Sequence, residues 1–143
     1  MTLAPPIPHS TSSESALCAA LMLDHEAAEF PLIRQTVSPS DFHNEAFKWI
    51  YEACILSLKE YGDVTVPTVA FLLEQSGRLD EVGAEVQLID ICSRWFTSIG
   101  AVAHARVISG AAKRRRRITA AGQEARRAWR GENTLRGWIS TSG

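Results

Sequence analysis

SPSDFHNEAFKWIYEACILSLKEYG, residues Ser38 to Gly62, is the stretch whose reading decides the fold. Its large apolar residues, Phe47, Ile50, Tyr51, Cys54, Leu58 and Tyr61, recur every three or four positions. That spacing puts them on one stripe of an α-helix, where a strand would need alternation. Ser38 is a capping residue type, Pro39 suits a first helical position, and Asp41 favours the positive end of a helix dipole. Gly62 supplies the stop. Burying one large apolar side chain contributes about 1.5–3 kcal/mol. The stripe therefore adds on the order of 10 kcal/mol before chain entropy is set against it. The flanking segments are expected to cover it.

Upstream, the proline-rich residues 1–10 read as a flexible arm. Thr11 opens a capping box with Glu14, ahead of an apolar helix through Ala16, Leu17, Cys18, Leu21 and Met22. Ala27, Ala28, Phe30 and Ile33 fit a short helix only if Pro31 lies in its first turn. Downstream, Asp63 to Val66 is an extended link. Pro67 then starts a helix with Val69, Phe71, Leu72 and Leu73, ended by Gly77. After a turn from Arg78 to Gly83, a helix from about Ala84 to Arg94 carries Val86, Leu88, Ile89 and Cys92. Trp95 and Phe96 are expected to close the core at one end. Ser98 opens an alanine-rich helix that runs to about Trp129 and stops at Gly131.

The expected fold class is all-α: a compact bundle of about six helices with a long, projecting C-terminal helix. Its parts are a flexible arm (1–10), a globular helical head (11–97), a long basic helix (98–130) and a loose tail (131–143). A chain of 143 residues, 45% hydrophobic and 22% charged, is ordinary for one water-soluble domain. No apolar run approaches the ~18 residues of a membrane span, and the first ten residues do not read as a secretory signal. Cys18, Cys54 and Cys92 are far apart in sequence on apolar helix faces. They read as small buried hydrophobes in a reducing compartment, with the cytoplasm as the expected location.

Charge is divided along the chain. Residues 1–105 hold 5 Lys/Arg against 14 Asp/Glu, whereas residues 106–143 hold 10 against 2. A basic tail of this kind suits nucleic acid, an acidic partner, or the acidic head of another copy.

Several segments together resemble a known family. These are Pro8-His9-Ser10, Glu14 and Leu21 to Asp24; Asp41-Phe42 running into Phe47, Ile50 and Glu52; Pro67-Thr68-Val69-Ala70, Leu73, Gly77, Leu79 and Val82-Gly83; and Ala103 to Ile108 with Arg116 and Ile118. In this order, over roughly residues 5–130, they are similar to the N-terminal domain of DnaB-type replicative helicases. The chain departs from that pattern where Phe47 replaces a His, Ala19 and Ala84 replace Gly, Thr65 replaces Asp and His104 replaces Tyr. The resemblance implies a non-catalytic interaction domain of DNA replication that forms the collar of a hexameric helicase and docks the C-terminal domain of primase. It also implies that the long helix is the first arm of a hairpin through which subunits pair. Asn133 to Ile139 is at most a stub of the second arm. A weak dimer is therefore expected rather than a stable ring, pairing along Ala111, Ile118, Ala121 and Ala125.

No cofactor or catalytic group is expected. The sequence has no GxxxxGK[ST] phosphate loop, no GxSxG and no HExxH. His9, His25, His43 and His104 lack metal-ligand spacing with one another or with the cysteines. Asp41 reads as helix-start electrostatics. The run Lys113, Arg114, Arg115, Arg116, Arg117, with Arg126, Arg127, Arg130 and Arg136, reads either as a solvated helix or as a weak contact to DNA phosphates. Trp129 and Trp138 read as partner contacts or helix cover in preference to base-stacking platforms. A basic nucleic-acid-binding module and a free-standing replisome adaptor stay open as alternatives.

Overall fold

The computed structural model describes residues 7–142, with side chains as far as Arg130. Most of the expected arm and the side chains of Arg136 and Trp138 lie outside the described residues. Among the described residues there are six α-helices and no strand: α1 (Thr11–Asp24), α2 (Phe30–Thr36), α3 (Glu45–Tyr61), α4 (Val66–Gln75), α5 (Ala84–Trp95) and α6 (Ala101–Ser142). A single 3-10 turn, Pro39–Asp41, precedes α3. Residues 8–112 make one compact unit, the head, and α6 from residue 113 on belongs to another.

The centre of the head is α1, not α3. Ten consecutive residues, Ser13 to Met22, are buried. A helix enclosed on every side needs apolar or small residues all round, and Ala16, Leu17, Cys18, Ala19, Ala20 and Leu21 provide them. It packs on α3 and α5, while α4 bridges from α3 to α5.

The first turn of α1 departs from the expected capping box. Ser10, one residue earlier, is the cap, and its Oγ accepts from the Ser13 N–H at 3.2 Å. Glu14, 1% exposed, is thereby turned inward. Its carboxylate accepts the backbone N–H groups of His43 (3.0 Å) and Asn44 (2.9 Å). Its neighbours are buried and paired as well. The Trp95 indole N–H donates to Ser15 Oγ at 2.9 Å, and His104 Nδ1 lies 3.2 Å from Ser13 Oγ.

The deciding stretch is two elements rather than one helix. Around the 3-10 turn Asp41 Oδ2 accepts from the Ser38 N–H at 2.9 Å while the Asp41 N–H donates to the Ser38 carbonyl at 2.9 Å. Phe42 then becomes extended, so that its buried ring stacks on Tyr51 at 4.9 Å. The long helix starts afresh at Asn44, whose Oδ1 accepts from the Phe47 N–H at 3.1 Å. Ile50, Tyr51 and Cys54 are buried as the spacing requires, Phe47 and Leu58 are half-buried, and Tyr61 is exposed. The Tyr51 hydroxyl donates to the Val37 carbonyl at 2.9 Å.

The remaining helices hold their expected places with local corrections. Pro31 does lie in the first turn of α2. Thr65 caps α4 reciprocally with Thr68. Phe71 on α4 and Val86 and Ile89 on α5 face solvent, because α5 buries the opposite side through Leu88 and Ile91. Phe96 does not close the core. It ends α5 at φ 34° with its ring 77% exposed, and Trp95 alone turns inward. The last helix begins at Ala101, after Gly100 at φ 84°, rather than at Ser98. Its backbone continues through Gly131, since a glycine costs a helix only about 1 kcal/mol unless a left-handed turn or a proline follows.

Candidate functional site

The described residues do not assemble catalytic or metal-binding chemistry. No group of three or more His, Cys, Asp and Glu among them is placed to hold a metal ion. The histidines have structural partners. The His9 ring stacks on His43 with centroids 4.3 Å apart, His25 Nδ1 lies 3.5 Å from Asp63, and His104 packs edge-on to Trp95. Burial lowers the pKa of His104, which keeps its ring neutral to lower pH. Cys18 and Cys54 are wholly buried, and burial pushes both thiols above their usual range. The neighbouring Cys54 raises Cys18 further. These cysteines, distant in sequence, share one part of the core and are inert as nucleophiles.

Concavities in the head are small. A groove of about 240 Å³ runs beside Ala28, Glu29, Ser98 and Gly100. A narrower one, of about 100 Å³, lies beside Trp49, Glu52, Leu56 and Leu72. It is closed at one side by Arg78, whose Nη1 is 3.1 Å from Glu52 Oε2 and whose guanidinium covers the Trp49 ring at 4.9 Å. Both are below the roughly 300–1,000 Å³ of small-molecule sites. On α6 an open concavity of about 460 Å³ lies beside Ala125, Arg126, Trp129 and Arg130, and the rest of what the described residues offer a partner is exposed surface.

On the head, that surface is the outer face of α5. Val86 and Ile89, one turn apart, are 74% and 51% exposed. Phe96, just past the end of α5 in its left-handed cap, is a further exposed large apolar side chain. Large apolar side chains in such a row mark a surface made for contact. Acidic groups border it at Glu85 and Asp90, the latter bridged by Arg94 at 2.7 Å. Sequence reading assigned these residues inward, because periodicity identifies a helix but not which of two apolar stripes meets the core.

In the second unit, α6 carries the expected candidates, with one loss. Ala111 is buried and belongs to the head, so it is not part of an exposed pairing face. Ile118 (58% exposed), Ala121 and Ala125 remain exposed, as does Trp129 at 65%. Lys113, Arg114, Arg116, Arg117, Arg126 and Arg127 are exposed, while Arg115 is half-buried. At about 100° per residue, Ile118, Ala121, Ala125 and Trp129 fall on one narrow stripe. Every basic residue from 113 to 130 except Arg114 falls on the remaining arc. The five-residue run alone points all round the axis, and only with Arg126, Arg127 and Arg130 does the division appear.

The family model described as "DnaB-like helicase N terminal domain" matches residues 6–110. The crystal structure of the N-terminal domain of DnaB helicase from Mycobacterium tuberculosis has a similar fold, with a TM-score of 0.78 at 23% sequence identity. That match covers 87% of this chain and 85% of the other. Among curated proteins no match is found.

Proposed function

The chain belongs to the DnaB-like helicase N-terminal domain family, and on that premise we propose that it acts in DNA replication as a non-catalytic docking domain, binding the C-terminal domain of a primase and pairing with a second copy of itself. The observation that carries the reading is the division of surface between two helices. The outer face of α5 offers Val86 and Ile89 to a partner, with Phe96 exposed just beyond its end. The narrow stripe of α6, with small residues at Ala121 and Ala125 flanked by Ile118, suits close approach of an equivalent helix. Docking through α5 supports primase capture because a few large apolar side chains at the centre of a contact carry most of its binding energy.

The test is native mass by size exclusion with light scattering, for the chain alone and with the primase C-terminal domain. The expected result is a concentration-dependent dimer that gains a defined number of primase domains. Ala121→Glu removes the dimer and leaves helicity intact, because the position is exposed. Val86→Glu with Ile89→Glu removes primase and leaves the dimer. A monomer that ignores primase at tens of micromolar overturns the proposal. So does loss of folding in the Ala121→Glu chain, which would make that stripe core. ATP turnover by a homogeneous sample would contradict the non-catalytic reading.

A further inference from the structure

We propose that the basic arc of α6, residues 113–130, is a nucleic-acid backbone site distinct from the pairing and docking faces. The segment carries eight cationic side chains against a single carboxylate, Glu124, and seven of the eight are arginines. It lies beyond the residues matched by the family model, which end at 110. Arginine presents a planar fork that matches phosphate oxygens in pairs and is more weakly hydrated than a lysine ammonium. The segment spans about 27 Å at 1.5 Å per residue, the length of roughly eight base pairs of duplex.

The geometry also says what kind of reading occurs there. Seven cations lie on the arc opposite Ile118, Ala121, Ala125 and Trp129. Trp129, the aromatic ring of this segment, sits at one edge of the arc and shares an open concavity with Arg126 and Arg130, so the segment supplies one ring and no row of stacking platforms. Contact is therefore with phosphates and is blind to sequence. A membrane surface is the weaker occupant, because two of the four residues on the opposite stripe are the small Ala121 and Ala125. Only Ile118 and Trp129 would enter the acyl layer. The acidic head of another copy competes for the same charge, but arginine-rich composition and the continuous length of the arc favour a polyphosphate.

The experiment uses the whole chain and a fluorescein-labelled 20-nucleotide strand, in oligo-dT and mixed sequences, with a 20-base-pair duplex beside them. Anisotropy is followed from 50 to 200 mM salt. Four to six phosphate contacts give a slope of about −3 to −4 in log affinity against log salt on single strands, a loss of roughly 60- to 250-fold over that range. The two single-strand sequences should bind equally. Reversal of Lys113, Arg117, Arg126 and Arg127 to Glu should abolish binding with helicity unchanged. If that chain fails to fold, the four-Gln variant should still bind at least tenfold more weakly. Reversal of the head residues Arg34 and Lys59 should have no effect. Absence of binding at 50 mM salt overturns the proposal, as does binding that survives the reversal. It is equally overturned if the reversal lowers native mass while oligonucleotide does not compete, or if anionic vesicles bind and oligonucleotides do not. None of these outcomes depends on primase.

Discussion

Replacing Glu14 by Ala removes the one side chain that accepts both the His43 and the Asn44 N–H groups ahead of α3. Hydrogen bonds to a charged partner contribute about 1.5–3 kcal/mol, and a buried donor left unpaired costs about 1–3 kcal/mol. The two bonds share one carboxylate and are not additive, so the expected loss is about 2–4 kcal/mol, a large share of a typical 5–15 kcal/mol. For a chain of this length that lowers the melting temperature by about 10 °C. Glu14→Gln keeps one acceptor oxygen but sets an amide NH2 toward a backbone donor, so it should lose at least half as much. Glu60→Ala, at an exposed site on α3, should stay within about 0.5 kcal/mol. Urea unfolding followed by circular dichroism reads all three. The reasoning is refuted if Glu14→Ala shifts stability by less than about 0.5 kcal/mol at unchanged m.

Ala84 starts α5 at φ 64°, a left-handed conformation that L side chains adopt at a cost, so Ala84→Gly should stabilise by about 0.5–1 kcal/mol. A melting temperature that falls would contradict that assignment of strain. Burial lowers the folded pKa of His104, so the unfolded chain binds the proton more readily. This contribution to stability is complete above the unfolded value of about 6.5 and is lost as pH falls through the folded pKa. Denaturation between pH 7.5 and 5 should show that His104→Gln flattens the acid side of the profile. Equal slopes for the two chains would remove His104 as its source. With a thiol reagent at neutral pH, Cys92, the half-buried one, should be modified first, and Cys18 and Cys54 only on unfolding. Peptide mass spectrometry that finds Cys54 labelled in the native chain would contradict its enclosure.

Helix order was legible because its signals are local. Apolar spacing, Pro31 and Pro67 in first turns, and Gly62 and Gly77 at left-handed stops each act within a few residues. What escaped depends on distant groups. The pattern from Thr11 to Glu14 satisfies the capping-box rule, yet Ser10 takes the cap and frees Glu14 for a partner 29 positions away. The central place of α1 is written in alanines, which carry little periodic signal. The outward faces of Val86 and Ile89 are indistinguishable by residue type from Leu88 and Ile91. Of the α6 candidates, exposure was legible for Ala121 and Ala125. The burial of Ala111 depends on where the head ends, which composition does not mark.

Ser13, Glu14 and Ser15 stand side by side on one helical turn, yet their partners lie at His104, at His43 with Asn44, and at Trp95. During synthesis α1 emerges ahead of these partners, which follow 29 to 91 positions later. Until then the turn must keep its polar groups in water, because withdrawing them unpaired is costly. Loop closure over such separations is slow relative to helix growth. α1 is therefore made before the groups that seal it, and closure of the head around this turn becomes a late event.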